Sequence, residues 1–485
     1  MSQEVMENKR EEKPFKLNYK RTMIIGFAFF GILLLWQVYD LNCSNILSEL
    51  YMKVFNTTNS EDVQYLVGVM MAIDNLAALI LLPIFGRLSD KTNTRIGKRM
   101  PYILVGTFIC AVAFPFIPVF FHFGMAGGNY MGGLIGVIIM MAIVVLFSMM
   151  YRNPAVSLMP DMTPKPLRSK ANGIINIMGY VGGFVGTIFT IIFTISNYLG
   201  DKGYEGWQKG NMWTVMLPFL LGSLFMVGSA VVLFVLVNEN EIKEEVEDEM
   251  RRGEEYSEAT DKEGAANDDA PMSKANKITL WLILGAEFFW FMADNGIGTF
   301  LTNYVKYGLG LSTGTGAILT IAGGVGSVVG FILGGIIASK ITRKWTLIGG
   351  LALTFTSYIF WIIMTFTTKG EITSVPIWMY IVWVLKGFGM SLVHVNSYPM
   401  VVELCSGKKI GQFTGYYYAS SMTAQSITPI LLGLLLLTKG FSWQTLPIYA
   451  GVCVGCSIII FLFVKNVRNN KTTFKKGLEA LDTDD

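Results

Sequence analysis

Six ionisable residues stand inside long apolar runs of this chain: Asp40, Asp74, Arg152, Glu287, Asp294 and Lys386. A charge at bilayer depth costs at least about 2.5 kcal/mol on insertion scales, so each needs a partner or a purpose. An acid whose surroundings change can take up a proton in one setting and release it in another. Asp40, Asp74, Glu287 and Asp294 are therefore candidate proton carriers or acceptors for substrate hydroxyls. The competing reading is a set of ion pairs that fix helix packing. Each half of the chain holds two of these acids and one base, which permits mutual pairing. Arg152 lies toward the end of its run, where it either holds a neighbouring acid ionised or reaches for the interface. Lys386 is about ten residues into its run, roughly 15 Å by helical rise, which predicts a partner acid. Asp74 is as deep as Lys386, with Asn75 beside it.

Uncharged groups extend the set. Trp36, Tyr39, Trp290, Tyr304, Tyr358, Trp361 and Trp383 can stack on the C–H faces of sugar rings, although membrane aromatics commonly serve as packing or interface residues. Trp36 and Trp290 stand out because each precedes an acid by one turn, Asp40 and Asp294. The amides Gln37, Asn42, Asn45, Asn75, Asn176, Asn303, Asn396 and Gln425 can bind hydroxyls or join helices. Of these, Gln37, Asn176, Asn396 and Gln425 are the substrate-binding candidates, with Trp36, Asp40, Trp290 and Asp294. His394, one of two His, can relay a proton or be a satisfied structural side chain.

These residues must be held by membrane helices. The chain has 485 residues, 52% hydrophobic and 15% charged, against about 25% charged in soluble domains. Mean hydropathy is +0.49. The net charge of +3 gives no reason to expect a nucleic-acid partner. A span needs about 20 apolar residues, and twelve candidate runs are found: 22–47, 64–86, 101–122, 132–158, 169–198, 212–237, 277–305, 313–339, 345–367, 376–402, 410–438 and 444–464. The segment 238–276 divides them equally. It is acidic, with Glu244, Glu245, Glu247, Asp248, Glu249, Glu254 and Glu255, and is expected to be a cytosolic linker, partly helical or disordered. The expected division is a tail 1–21, a bundle 22–237, the linker, a bundle 277–465 and a tail 466–485.

Of 38 Lys and Arg, only Lys53, Lys202, Lys209, Lys306, Lys369 and Lys439 fall in loops opposite the linker. That asymmetry predicts cytosolic termini. The first run lacks a short apolar core followed by a cleavage site, so it is expected to stay as a span. Cys43, Cys110, Cys405, Cys453 and Cys456 lie in or beside apolar runs; the Cys453-x-x-Cys456 pair lacks polar neighbours and reads as packing. No metal or cofactor site is expected. Glycines such as Gly182, Gly183 and Gly186, or Gly323, Gly326 and Gly330, suit close helix packing in lipid.

The halves repeat. Trp36-x-x-x-Asp40 matches Trp290-x-x-x-Asp294. Arg152, Asp161 and Gly173 recur at one offset as His394, Glu403 and Gly415, and Gly86-x-x-x-Asp90-Lys91 recurs as Gly335-x-x-x-Ser339-Lys340. Parallel repeats place a substrate site between the halves near the midplane.

A polar loop, 86–101, joins the second and third runs, with Gly86, Asp90, Arg95, Gly97 and Arg99. Asp90 can cap a helix end and pair with Arg95 or Arg99, forming a gate latch. This loop resembles the helix 2–3 loop of the major facilitator superfamily. Its extended form, Ser-Asp-x-x-x-x-Arg-x-Gly-Lys-Arg-x-Pro over 89–101, is similar to the glycoside–pentoside–hexuronide:cation symporters and leans toward their sucrose:proton branch. Pro154, Asp161, Arg168, Ala171, Asn172, Gly179 and Tyr180 resemble the helix 4–5 region of the same branch.

Two departures matter. Sodium-coupled melibiose permeases carry paired acids late in helix 2, and 75–89 holds none here, which favours protons over sodium. Plant sucrose carriers place an arginine two residues after the helix 4 proline, where Val156 stands here, so their sugar contacts do not transfer. The resemblance implies an all-α membrane protein with twelve transmembrane helices in two six-helix pseudo-repeat bundles. It would sit in the plasma membrane and act as a monomer, importing a disaccharide such as sucrose or maltose by proton symport. A facilitator exporting drugs or lipids, and a non-transporting receptor or scaffold, stay open. No nucleophile, nucleotide or metal constellation suggests an enzyme.

Overall fold

The computed structural model describes residues 15–195, 211–264, 274–368, 372–402, 404 and 410–465. Glu403, Cys405, Lys202, Lys209, Lys369 and most of both tails lie outside the described residues. Among those described, every long element is a helix. The first bundle holds α1 (Tyr19–Val54), α2 (Gln64–Lys91), α3 (Met100–Ala113), α4 (Phe116–Gly127), α5 (Tyr130–Asp161), α6 (Arg168–Ile192) and α7 (Met212–Leu236). α8 (Glu239–Gly264) follows as the linker helix. The second bundle holds α9 (Lys274–Asn303), α10 (Thr313–Lys340), α11 (Arg343–Thr368), α12 (Ile377–Val402), α13 (Ile410–Leu437) and α14 (Thr445–Phe463).

Among the described residues eleven helices are long and apolar enough to cross a membrane, counting α3 and α4 as one span. The twelfth, α9, is less apolar because Glu287, Asp294 and Asn295 interrupt it. The run expected as one helix over 101–122 is broken at Phe114 and Pro115; proline has no N–H to continue the ladder and clashes with the preceding turn. Pro83, Pro154, Pro160, Pro218, Pro399 and Pro429 stay inside helices, where neighbouring helices compensate the freed carbonyls. The linker segment is helical over α8, which docks on the first bundle: Arg252 lies 5.4 Å from the Phe15 ring centroid and Arg21 is 3.6 Å from Glu245.

Within each bundle glycines let helices touch: a Cβ on Gly182 would meet the Phe30 backbone, and one on Gly326 the Val384 backbone. Between bundles the largest contact is α2 against α13, with α1–α9 and α6–α10 beside it. Gly68 sits against the Pro429 carbonyl and Gly433 against the Gln64 carbonyl, so this seam tightens toward the end of the molecule opposite the linker. Cys43, Cys110 and Cys453 are buried free thiols and Cys456 is half-buried.

Candidate functional site

A cavity of about 510 Å³ opens between the bundles. α1 contributes Gln37 and Asp40, α6 Tyr180, α9 Phe291, Asp294 and Asn295, α10 Thr320 and Ser327, α12 Trp383, Lys386, Ser391 and His394, and α13 Gln425. Lys386 Nζ is 2.7 Å from Asp294 Oδ1, and 5.8 Å from the Trp383 ring centroid. The depth of Lys386 predicted an acid partner, and this is it. Asp294 keeps 37% side-chain exposure against 14% for Lys386, so the carboxylate has an edge left for a ligand. Phe291 meets His394 edge-on, centroids 5.4 Å apart. The wall thus offers hydroxyl acceptors and donors beside aromatic faces.

Behind Asp40 lies a second charged group. Asp74 is 7% exposed on α2 and accepts the Asn75 backbone N–H at 2.7 Å. Asp40 and Asp74 repel each other, and Arg152 on α5 attracts both. Neither Asp74 nor Arg152 lines the cavity.

Other candidates sit elsewhere. Trp290 is fully buried against Phe461, centroids 6.0 Å apart, inside the second bundle. The repeat therefore brings its two acids, Asp40 and Asp294, to the cavity and leaves its tryptophans off it: Trp36 packs edge-on against Tyr39 at 5.4 Å. Asn396 is fully buried and donates to the Leu392 carbonyl of its own helix at 2.8 Å, while its Oδ1 has no hydrogen-bond partner among the described residues; it is outside the cavity lining. Glu287 is likewise buried at 0% exposure. Asn176, half-buried on α6, is outside the lining. Asn295, Thr320, Ser327 and Phe331 line the cavity unannounced, joined by Tyr180, which the sequence marked only as part of the helix 4–5 motif; of the first four, only Asn295, next to Asp294 on the same helix, carried a usable signal.

On the side away from the linker the bundles are sealed by polar bonds. Asn45 donates to Thr302 at 2.8 Å, and Asn303 to Ser48 and Gln64 at 3.0 Å each. Lys306 pairs with Glu49, and Tyr307 donates to the same carboxylate at 2.8 Å. Trp443 donates to Ser60 at 2.8 Å and to Glu61 at 3.2 Å. Toward the linker side the bundles meet through apolar groups: Tyr180 and Phe331, centroids 5.7 Å apart, with Ile177 and Val395 against Phe331.

The polar loop forms its cluster wholly on the first bundle and α8. Arg99 reaches Asp90 at 2.5 Å, Asp161 at 2.9 Å and Ser89 at 2.5 Å, so it ties the ends of α2 and α5 to the start of α3. Lys98 adds a 3.0 Å contact to Asp161. Burial works against the Arg99 charge, but hydrogen bonds and charges from Asp161 and Asp90 outweigh it and raise the guanidinium pKa above its ordinary value. Arg95 is exposed, and its carbonyl accepts from Asn240 at 3.1 Å. Glu239, at the start of α8, accepts the backbone N–H groups of Lys98, Arg99 and Met100 at 3.0, 2.9 and 3.3 Å. It caps α3 from another segment, satisfying donors that a helix start leaves open. Gly97 has φ of 102° and a Cβ there would strike the Glu239 side chain; both facts require glycine. Gly86 serves a different contact, facing Asn153 of α5.

A family model described as Major Facilitator Superfamily matches residues 5–187 and 283–481. The chain belongs to the Major Facilitator Superfamily. A lactose permease from Lactobacillus helveticus is 26% identical over 166 residues, 32% of this chain and 25% of that protein; the match thus spans a quarter of that relative's length. Among solved structures, a bacterial homologue of the iron transporter ferroportin in an inward-facing state aligns with TM-score 0.61 at 13% identity, covering 93% of this chain and 99% of that one. A POT family transporter in complex with 5-aminolevulinic acid aligns with TM-score 0.61 at 12% identity, covering 93% and 97%. These structures show the likeness of fold, and the family model shows the superfamily.

Proposed function

We propose that this superfamily member is a secondary active transporter importing a glycoside, a disaccharide such as sucrose or maltose, by proton symport with alternating access. The observation that carries the reading is the cavity wall. Asp40, Gln37, Asn295 and Gln425 face one volume with the Asp294–Lys386 pair and the Trp383 ring. Hydroxyl groups suit the first set and sugar C–H faces the last. The volume falls within the roughly 300–1,000 Å³ common for small-molecule sites. The lactose permease relative supports a sugar cargo, and the loop over 89–101 supports the sucrose:proton branch. Asp40, Asp74, Arg152, Glu287, Asp294 and Lys386 are the candidate coupling residues. In this reading 22–237 and 277–465 are the two moving bodies, joined by 238–276, in the plasma membrane of the cell, with cytosolic termini and a monomer as the working unit. The test is uptake of radiolabelled sucrose, maltose and lactose into proteoliposomes, with and without an inward proton gradient. Gradient-driven accumulation of one of them is expected. Equal counts with and without the gradient for all three overturn the reading.

A further inference from the structure

Among the described residues, one buried ion pair bridges the two bundles at the end opposite the linker. Glu49 lies on the last turns of α1 and is 5% exposed; Lys306 is 13% exposed. They are 257 residues apart in sequence. Lys306 and Tyr307 stand in a π-turn, Tyr304–Gly308, that extends α9. Wide π-turns are uncommon and recur at functional sites. Here the turn lets two consecutive side chains reach one oxygen, Glu49 Oε1. Tyr307 also stacks on Trp443, centroids 6.0 Å apart, and Trp443 is bonded to Ser60 and Glu61 of the first bundle. The pair is thus roofed by aromatic rings and underlain by the uncharged Asn45–Thr302 and Asn303–Ser48–Gln64 bonds. Lys53 also attracts Glu49 and lies over the Tyr130 ring at 5.9 Å. Lys53, Tyr130 and Glu49 all belong to the first bundle, so this contact lies within it.

We propose that Glu49, Lys306 and Tyr307 form the lock that closes the transporter on the side opposite the linker, and that the charge balance of this trio sets how often that side opens. The inference rests on the alternating-access part of the proposed function and not on the sugar or the proton. Separation of the bundles at this end must part Glu49 from Lys306 and hydrate both. A buried pair shows a distinctive response to mutation. Removing one partner leaves an uncompensated buried charge, which strongly disfavours the closed arrangement, whereas replacing both partners with neutral groups is close to harmless.

The test reads sided accessibility, so it needs no substrate. A membrane-impermeant maleimide is applied to one face of sealed vesicles of known orientation, and the modified peptide is identified by mass spectrometry. The reporters are Leu301→Cys, on the cavity beneath the lock, and Val328→Cys, on the cavity wall of α10. Glu49→Gln and Lys306→Met are each expected to raise far-side labelling of the first reporter at least roughly tenfold and to lower linker-side labelling of the second. The double variant Glu49→Gln/Lys306→Met, and the exchange Glu49→Lys/Lys306→Glu, should both return toward the parent rates. Three results overturn the lock: single variants that leave both rates within about twofold of the parent, a double variant whose effect is the sum of the singles, or a rise in labelling from both faces, which marks misfolding. A failure of sugar uptake with the expected labelling intact would count against the sugar reading alone.

Discussion

Trp383 and Trp290 are both buried, but only Trp383 also lines the cavity, and that difference separates binding from packing alone. Trp383 faces the cavity one turn from Lys386, whereas Trp290 is enclosed by α9 and α14 side chains. Trp383 is also only 4% exposed and packs on Trp361, centroids 5.5 Å apart, so Trp383→Ala is expected both to raise the sugar KM roughly two- to tenfold, through about 0.5–1.5 kcal/mol of lost ring contact, and to lower the melting temperature. Trp290→Ala opens a cavity in a packed core and is expected to cost about 3–5 kcal/mol of stability, read as a lowered melting temperature in detergent. An unchanged KM in Trp383→Ala, or a raised KM in Trp290→Ala, would refute this division. The acids of the first bundle divide in a similar way. Asp40 lines the cavity and Asp74 stands behind it, within reach of its charge and that of Arg152. Asp40→Asn is expected to weaken sugar binding itself, measured by exchange. Asp74→Asn is expected to spare exchange and abolish gradient-driven accumulation. An Asp74→Asn protein that still concentrates sugar would reduce Asp74 to a structural role.

The cluster that joins α2, α3, α5 and α8 is an element-scale device, since no one of its members has a use without the others. Glu239 gives α3 the acceptor that its own N-cap residue, Arg99, lacks, and Arg99 in turn clamps Asp90 and Asp161. Loss of a helix cap costs about 0.5–2 kcal/mol, so Glu239→Ala should lower the melting temperature and slow uptake while the protein still inserts. Asp90→Asn keeps the shape and removes one charge of the clamp, and is expected to slow uptake at matched expression. Wild-type rates in both variants would show that the cluster is dispensable for transport. The loop was legible in the sequence because its parts are contiguous over 86–101, with Asp90 and Arg99 correctly paired as one of two options. Glu239 was not legible: it meets Arg99 across 140 residues, and in sequence it merges with a run of acids that reads as a solvated face. Glu49 was missed for a related reason. The apolar pattern predicts a span over 22–47, but α1 continues to Val54, supported by contacts to α9 and α2 that no local pattern records. Trp290 and Asn396 were legible as membrane-embedded residues. Which way they point depends on helix rotation, which a run of apolar residues on all faces leaves undetermined.

At the scale of the whole molecule, the coupling ion decides what drives the cycle. The twelve-span pseudo-repeat was readable from hydropathy and repeated motifs, because lipid admits few alternatives to helices. Charge pairing between helices had to come from the fold. In the second bundle Asp294 is matched by Lys386. In the first, two acids, Asp40 and Asp74, lie in the field of one Arg152, and when both are ionised they carry one negative charge in excess that a single cation can neutralise. The second bundle also holds a second buried acid, Glu287, but only the first sets its second acid directly behind a cavity-lining one. No further acid follows on α2 over 75–89 to complete an oxygen-rich sodium site of the melibiose kind, and the cation expected there is a proton. A neutral sugar moving with a proton carries net charge across the bilayer, so uptake must respond to voltage as well as to pH. One elementary charge across 100 mV is worth about 2.3 kcal/mol, which corresponds to roughly fiftyfold accumulation per proton at equilibrium. In proteoliposomes at equal pH on both sides, a potassium diffusion potential, negative inside, should therefore drive sugar accumulation. A protonophore should collapse accumulation driven by a pH gradient, and sodium added at clamped pH and voltage should change nothing. Uptake that depends on sodium under those clamped conditions would overturn proton coupling. Uptake indifferent to voltage would show that the transported complex is neutral, and the excess charge of the first bundle would then have to be balanced by something other than the carried proton.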